Sequence, residues 1–126
     1  MAKTTIHPEG ASTPSVPLSH GVRKGNILQV SGQVAFDLKT GEVVGTTVAE
    51  QTRQSMRNVL SVLEAGGASV DDVVMFRVYL TDTAHFAEMN EAYAVFLTDR
   101  LPARTTVYVG LPAGLLVEVD ALAVLD

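Results

Sequence analysis

The hydrophobic positions of this chain fall into two rhythms, alternation every second residue and recurrence every three to four, and the switches between them delimit the elements. Alternation is clearest from Val73 to Thr81, where Val74, Phe76, Val78 and Leu80 form a wholly apolar parity and Met75, Arg77, Tyr79 and Thr81 the other. With its β-branched and aromatic content, that pattern predicts a strand. Helical recurrence runs from Val48 through Thr52, Met56, Val59 and Leu60 to Leu63, with Glu50, Arg53, Gln54, Arg57 and Glu64 opposite. Thr47 and Glu50 open this segment as a capping box, and Gly66-Gly67 closes it. A second amphipathic helix, capped at Asp82 or Thr83, buries Phe86, Met89, Tyr93, Phe96 and Leu97, and Pro102 limits it.

Shorter signals lie around these. Lys3 to His7 reads as a short strand and the Pro/Ser/Thr-rich stretch Ala11 to Ser19 as a loop. A turn at Lys24-Gly25-Asn26 leads into the strand Ile27 to Val30, which enters Ser31-Gly32-Gln33, and Asp37 to Gly41 is the next turn. Arg104 to Val109 and Leu115 to Val124 are closing strands, read as a hairpin through Gly110 to Gly114. The order implies a single α/β (α+β) domain over residues 1–126, one sheet with both helices on one face. Val74, Phe76, Val78, Leu80, Val107, Val109, Val117, Val119, Ala121 and Ala123 are expected to meet those helices.

The other parity mixes charges with large apolar groups: Met75, Arg77, Tyr79, Arg104, Thr106, Tyr108, Leu116, Glu118, Asp120, Leu122 and Val124. A solvated face carries fewer such apolar residues, so a neighbouring subunit is expected to cover part of it, leaving a pocket at the seam. Arg104 offers a planar fork for a carboxylate, or it is a solvated strand arginine. Glu118 is a base for a water, kept ionised by an adjacent guanidinium, or an inter-subunit salt-bridge partner. Asp120 is read as an interface ion-pair residue, and the amide of Asn90, one residue from the Met89/Tyr93 stripe, as pocket-facing or as surface.

Composition narrows the chemistry. At 126 residues, with 47% hydrophobic and 18% charged positions, the chain is long enough to bury a core of its own. It contains no Cys, which excludes disulfides, a thiolate nucleophile and cysteine-based metal sites, and makes a reducing, cytoplasmic setting the expectation. A net charge of -5 with scattered Lys and Arg argues against nucleic acid, and the absence of a long apolar run argues against a membrane. His7, His20 and His85 lack metal-ligand spacing, so no metal is expected. Neither a phosphate-cradling Gly-rich loop nor a Gly-x-Ser-x-Gly elbow is present.

Pro102-Ala103-Arg104-Thr105-Thr106-Val107, followed by Leu116-Val117-Glu118-Val119, resembles the signature of the RidA-type (YjgF-like) reactive-intermediate imine deaminases. The likeness extends to Pro17-Leu18-Ser19-His20-Gly21, Val30-Ser31-Gly32-Gln33, Gln51 to Gly67 and Met89-Asn90-Glu91-Ala92-Tyr93, essentially the whole chain. It implies a chorismate-mutase-like fold, a homotrimer with active sites between subunits, and cofactor-free hydrolysis of 2-imino acids or their enamine tautomers, such as 2-aminoacrylate and 2-iminobutanoate, to 2-keto acids and ammonia. By that resemblance Arg104 binds the substrate carboxylate, Glu118 activates water, Gly32 offers backbone contact near the imine, and Asn90 and Thr106 line the cleft. Thr106 stands where many members have Cys. Leu18 stands where the best-characterised members carry Tyr, which makes that wall more apolar and points to side chains other than those of the smallest imino acids. The alternative reading is a non-catalytic regulatory module holding a small carboxylate in the same inter-subunit cleft. A ribonuclease-like role fits the acidic charge and the missing His pair poorly.

Overall fold

The computed structural model describes residues 2–126; Met1, the first residue of the expected 1–126 domain, lies outside them. In chain order the elements are β1 (Thr4–Ile6), β2 (Gly21–Lys24), β3 (Ile27–Gln33), α1 (Val48–Ala65), β4 (Val73–Leu80), α2 (Phe86–Ala94), β5 (Ala103–Tyr108) and β6 (Val117–Val124). Short 3-10 turns at Val70–Asp72 and Thr83–His85 lead into β4 and α2. All six strands form one sheet in the order β1-β2-β3-β6-β4-β5. Both helices lie on one side of it, α1 packing on β3, β6 and α2, so the expected α+β architecture is the observed one.

Helix α1 forms as its caps dictate. The Thr47 hydroxyl oxygen accepts from the Glu50 amide at 3.2 Å and the Glu50 carboxylate accepts from the Thr47 amide at 3.1 Å. Such a reciprocal cap stabilises a helix by about 1 kcal/mol. At the other end Gly67 takes φ +85, a left-handed conformation that a side chain would strain. The inner face buries Val48, Met56, Val59, Val62 and Leu63 against Leu28, Val30, Val117 and Val119.

The expected closing hairpin does not form. β4 lies between β5 and β6, pairing with β6 antiparallel and with β5 parallel. A parallel partner requires a crossover, and α2 is that crossover. Phe76 stands opposite Arg104, Val78 opposite Thr106 and Leu80 opposite Tyr108. Opposed residues project to the same side. Arg104, Thr106 and Tyr108 therefore belong to the helix face, and Val107, expected there, lies with Tyr79 on the other side at 39% exposure. Val109, also expected in the core, is only half-buried beyond the strand end.

A smaller correction falls at Val74. The β4–β6 ladder shifts register between Val73 and Met75, which turns Val73 into the core and leaves Val74 exposed. In α2, Met89 and Tyr93 are buried as expected, Phe96 and Leu97 are partly buried beyond its end, and Phe86 is 40% exposed.

Candidate functional site

Two clusters of expected site residues form on opposite sides of the sheet. The first sits at an irregularity between β3 and β6, where Val30 pairs with Ala121 but Gln33 pairs with Val119. Ser31 and Gly32 thus oppose Asp120 alone, a bulge of the kind that re-aims backbone near functional groups. Gly32 has no side chain for a direct reason. A Cβ there would collide with Glu118, 2.9 Å from its Cδ and closer still to Oε2. The carboxylate of Glu118 therefore lies against the bare backbone of Gly32.

Glu118 is half-buried, and burial pushes its carboxyl above the usual range, with the charge of Asp120 adding to the effect. The expected guanidinium neighbour is absent from its own chain. Arg77 is engaged instead with Asp120, Nε donating to Oδ1 at 2.8 Å, and the Tyr79 hydroxyl donates to Oδ2 at 2.7 Å. Asp120, expected to pair across an interface, holds both of these partners within its own protomer and is almost fully buried. Accepting from Tyr79 raises the pKa of that phenol. Glu118 stands beside this triad, opposite Tyr79 in the ladder, and takes part in no ion pair among the described residues.

The second cluster is built by β5 and α2. The Arg104 guanidinium carbon lies 5.0 Å from the centroid of Tyr93 and 5.6 Å from that of Phe86. Cation–π contact with two rings holds the planar head while leaving its N–H donors available in the plane. No ion pair involves Arg104 among the described residues. Asn90 shares the α2 face of Phe86 and Tyr93, at i+4 from one and i-3 from the other. Its Oδ1 and the Thr106 Oγ1 are buried without hydrogen-bond partners, as is the His85 Nδ1. Burial raises the pKa of Tyr93, and Arg104 opposes that shift.

Gly32 joins the first cluster to a cavity of about 510 Å³ that Leu18 and His20 also line. Burial lowers the pKa of His20, opposed by its hydrogen bond with the Ser12 backbone and assisted by His7, whose ring centroid is 5.8 Å away. Among the described residues no three His, Asp or Glu side chains gather as metal ligands. A larger cavity, about 590 Å³ between α1 and residues 8–11 and 37–39, contains none of the expected site residues.

The structure thus brings Gly32, Glu118 and Leu18 into one neighbourhood and Arg104, Asn90 and Thr106 into another. It does not bring Arg104 to Glu118 within the chain, because the parallel β4–β5 register sends them to opposite faces. Phe86 and Tyr93 were missed as neighbours of Arg104. The signal that identifies the two rings is their spacing around Asn90 once β5 is known to run beside α2.

Comparisons with known proteins meet this geometry. The family described as "Endoribonuclease L-PSP" matches residues 9–125. A RutC family protein of Pyrococcus horikoshii is 43% identical over 122 residues, 96% of this chain and 97% of that protein. A protein of Escherichia coli K12 named 2-iminobutanoate/2-iminopropanoate deaminase is 41% identical over 128 residues, covering 98% of each chain. The crystal structure of RidA from an Antarctic Psychrobacter superposes with a TM-score of 0.89 at 36% identity, over 97% of this chain and 99% of that one.

Proposed function

Since the chain belongs to the endoribonuclease L-PSP family, the YjgF/RidA group, we propose that it hydrolyses 2-imino acids and their enamine tautomers to 2-keto acids and ammonia, in clefts between its own copies. One observation supports this reading: among the described residues a ring-held guanidinium on the helix face and a half-buried carboxylate on the opposite face each lack an ion-pair partner, as two complementary halves of an inter-subunit site would. Identical chains joined head to tail around a symmetry axis, as in the expected homotrimer, set one half against the other at every seam.

In that cleft Arg104 of one copy grips the substrate carboxylate through a bidentate pair, with Asn90 and Thr106 filling their empty hydrogen-bond positions on the ligand. The facing copy presents Glu118 beside Gly32. Its carboxylate accepts a proton from water as the water oxygen attacks C2 and the C=N electron pair moves to nitrogen, which is protonated. Glu118 returns its proton to the amino nitrogen of the carbinolamine, ammonia leaves, and the C=O forms as the hydroxyl proton passes to the freed carboxylate. An enamine first accepts a proton at C3 and then follows the same course. A raised pKa makes the Glu118 carboxylate a stronger base than an ordinary one and suits it to taking and returning that proton. An imine is already electrophilic, so a positioned water and one such group are sufficient machinery.

The test generates 2-aminoacrylate and 2-iminobutanoate in situ from serine and threonine with a dehydratase, semicarbazide competing for the imine. Faster keto-acid release that vanishes in Arg104→Ala and Glu118→Gln, with assembly intact, is the expected result. Wild-type rates in Arg104→Ala overturn the reading. Tight keto-acid binding without turnover replaces it with the non-catalytic carboxylate-binding module.

A further inference from the structure

The cavity at Gly32 has a construction that the imine chemistry alone does not require. One wall is the segment Ser12 to Leu18, and the other is Gln33 to Leu38. Both walls are pinned. The Ser12 amide and hydroxyl donate to the Leu38 carbonyl at 2.8 and 3.1 Å, and the Ser31 hydroxyl donates to the Ser19 carbonyl at 2.6 Å. On the other side Asn58 of α1 donates to the carbonyls of Val34 and Phe36 at 3.1 and 2.8 Å, and Gln54 donates to Phe36 at 3.2 Å. The space is therefore pre-formed and needs no folding of a loop around a ligand.

Its lining is apolar where it counts. Val16, Leu18, Val34, Phe36 and Leu38 contribute the bulk, and Val16 and Leu18 are about half exposed with nothing packed over them in the chain. No Lys or Arg reaches it, and its charged group is Asp37. A substrate carboxylate is thus excluded from this space on electrostatic grounds. Asp37 is itself committed to the Lys39 and Thr40 amides at 2.8 and 3.0 Å, which hold its carboxyl below the usual range. Gly32 is the shared boundary, with the Glu118 carboxylate against it and the cavity opening beside it. A 2-imino acid with C2 at Glu118 and its carboxylate directed to an arginine has its side chain left, and the apolar space of this chain that borders Gly32 is this cavity.

Resting on the deaminase reading, we infer that the cavity between Val16/Leu18 and Phe36/Leu38 is a side-chain subsite that selects 2-imino acids with bulky apolar side chains, branched aliphatic or aromatic, over 2-iminopropanoate. A volume of about 510 Å³ far exceeds what a methyl group fills, and a single methylene in an apolar pocket changes specificity by about ten-fold or more.

The experiment uses the assembled full chain. An L-amino-acid oxidase generates imines from alanine, leucine and phenylalanine, and semicarbazone competition gives kcat/KM for each. The expected ratio of the leucine-derived or phenylalanine-derived imine to 2-iminopropanoate is about ten or greater. That ratio drops at least several-fold in Phe36→Ala and in Val16→Asp, one variant from each wall, so that misfolding of either leaves the other to decide. A wild-type ratio near or below one, or a ratio that neither variant moves, overturns the subsite while leaving the deaminase reading intact. If no imine is hydrolysed faster, the deaminase reading falls and calorimetry with the products decides the subsite separately. Tighter binding of 4-methyl-2-oxopentanoate than of pyruvate supports it, and equal or absent binding overturns it.

Discussion

The seam between α1 and the loops beside it and the edge where α2 meets β5 both bury polar side chains, and they treat them in opposite ways. At the first, Gln51 donates to the carbonyls of Gly45 and Gly114 and accepts from the Leu116 amide, at 3.1, 2.8 and 2.8 Å. Asn58 likewise donates twice and accepts from Gln54 at 3.0 Å. At the second, the Asn90 and Thr106 oxygens and a histidine nitrogen have no partner, and an arginine rests on two rings without an acid. The hydroxyls of Thr52 and Ser55 in α1 are also unpaired, but these residues are sealed in the interior, where no ligand reaches. Satisfied amides hold the architecture together. Unsatisfied groups at a half-open edge cost about 1–3 kcal/mol each unless something completes them, a cost that a ligand in the proposed cleft would recover.

The sharpest way to break this comparison is to separate the two halves of the cleft. Arg104→Ala and Glu118→Gln are each expected to lower kcat/KM by about two to three orders of magnitude, measured by semicarbazone competition. Equimolar subunits of the two variants, unfolded together and reassembled, should recover about a quarter of wild-type activity, because random pairing gives that share of seams an intact arginine and an intact glutamate. A mixture as inactive as its parents would place both residues in one chain's site.

On the architectural side, Gln51→Leu strips three backbone groups of their partners and should destabilise the fold by about 2–4 kcal/mol in urea titration. Activity per folded molecule is expected to persist. Asn90→Ala should do the reverse, leaving stability unchanged or raising it by up to about 1–3 kcal/mol as an unsatisfied group is removed, while lowering kcat/KM about ten-fold. Equal stability losses in the two variants would erase the distinction between the regions.

The smallest effect concerns acidity. Burial and Asp120 both raise the Glu118 pKa, so the active carboxylate is lost as pH falls through that raised value. Removing a negative neighbour in Asp120→Asn lowers it, and the acid limb of the kcat/KM profile moves to lower pH. Arg77→Met removes the cation that offsets Asp120 and should move the same limb upward. Parallel losses at every pH would reduce the triad to a packing role.

Local signals carried much of the fold into the sequence. The Thr47/Glu50 box and the spacing of Val48, Met56, Val59 and Leu63 define α1, and the glycine pair ends it, because caps and periodicity are properties of neighbours along the chain. Strand order is not such a property. β5 and β6 read as a hairpin because they are consecutive, and only the long-range insertion of β4 between them makes β5 a parallel edge strand. That one misreading put Arg104 and Glu118 on the same face. Arg104, Thr106, Asn90, Gly32, Leu18 and Glu118 are each named by the resemblance, while their division between the two faces of the sheet depends on register. Within one chain the Glu118 carboxyl is raised by burial and by Asp120, opposite to the effect expected of an adjacent guanidinium, because Arg104 lies on the other face of the sheet.

The parallel register of β5 has a further consequence, one of mass action. If the arginine and the carboxylate of a working cleft belong to different chains, an isolated subunit has no complete catalytic centre. Activity per chain then depends on how many chains are associated. Dilution below the subunit dissociation constant should silence the protein without unfolding it, and restoring the concentration should bring the activity back.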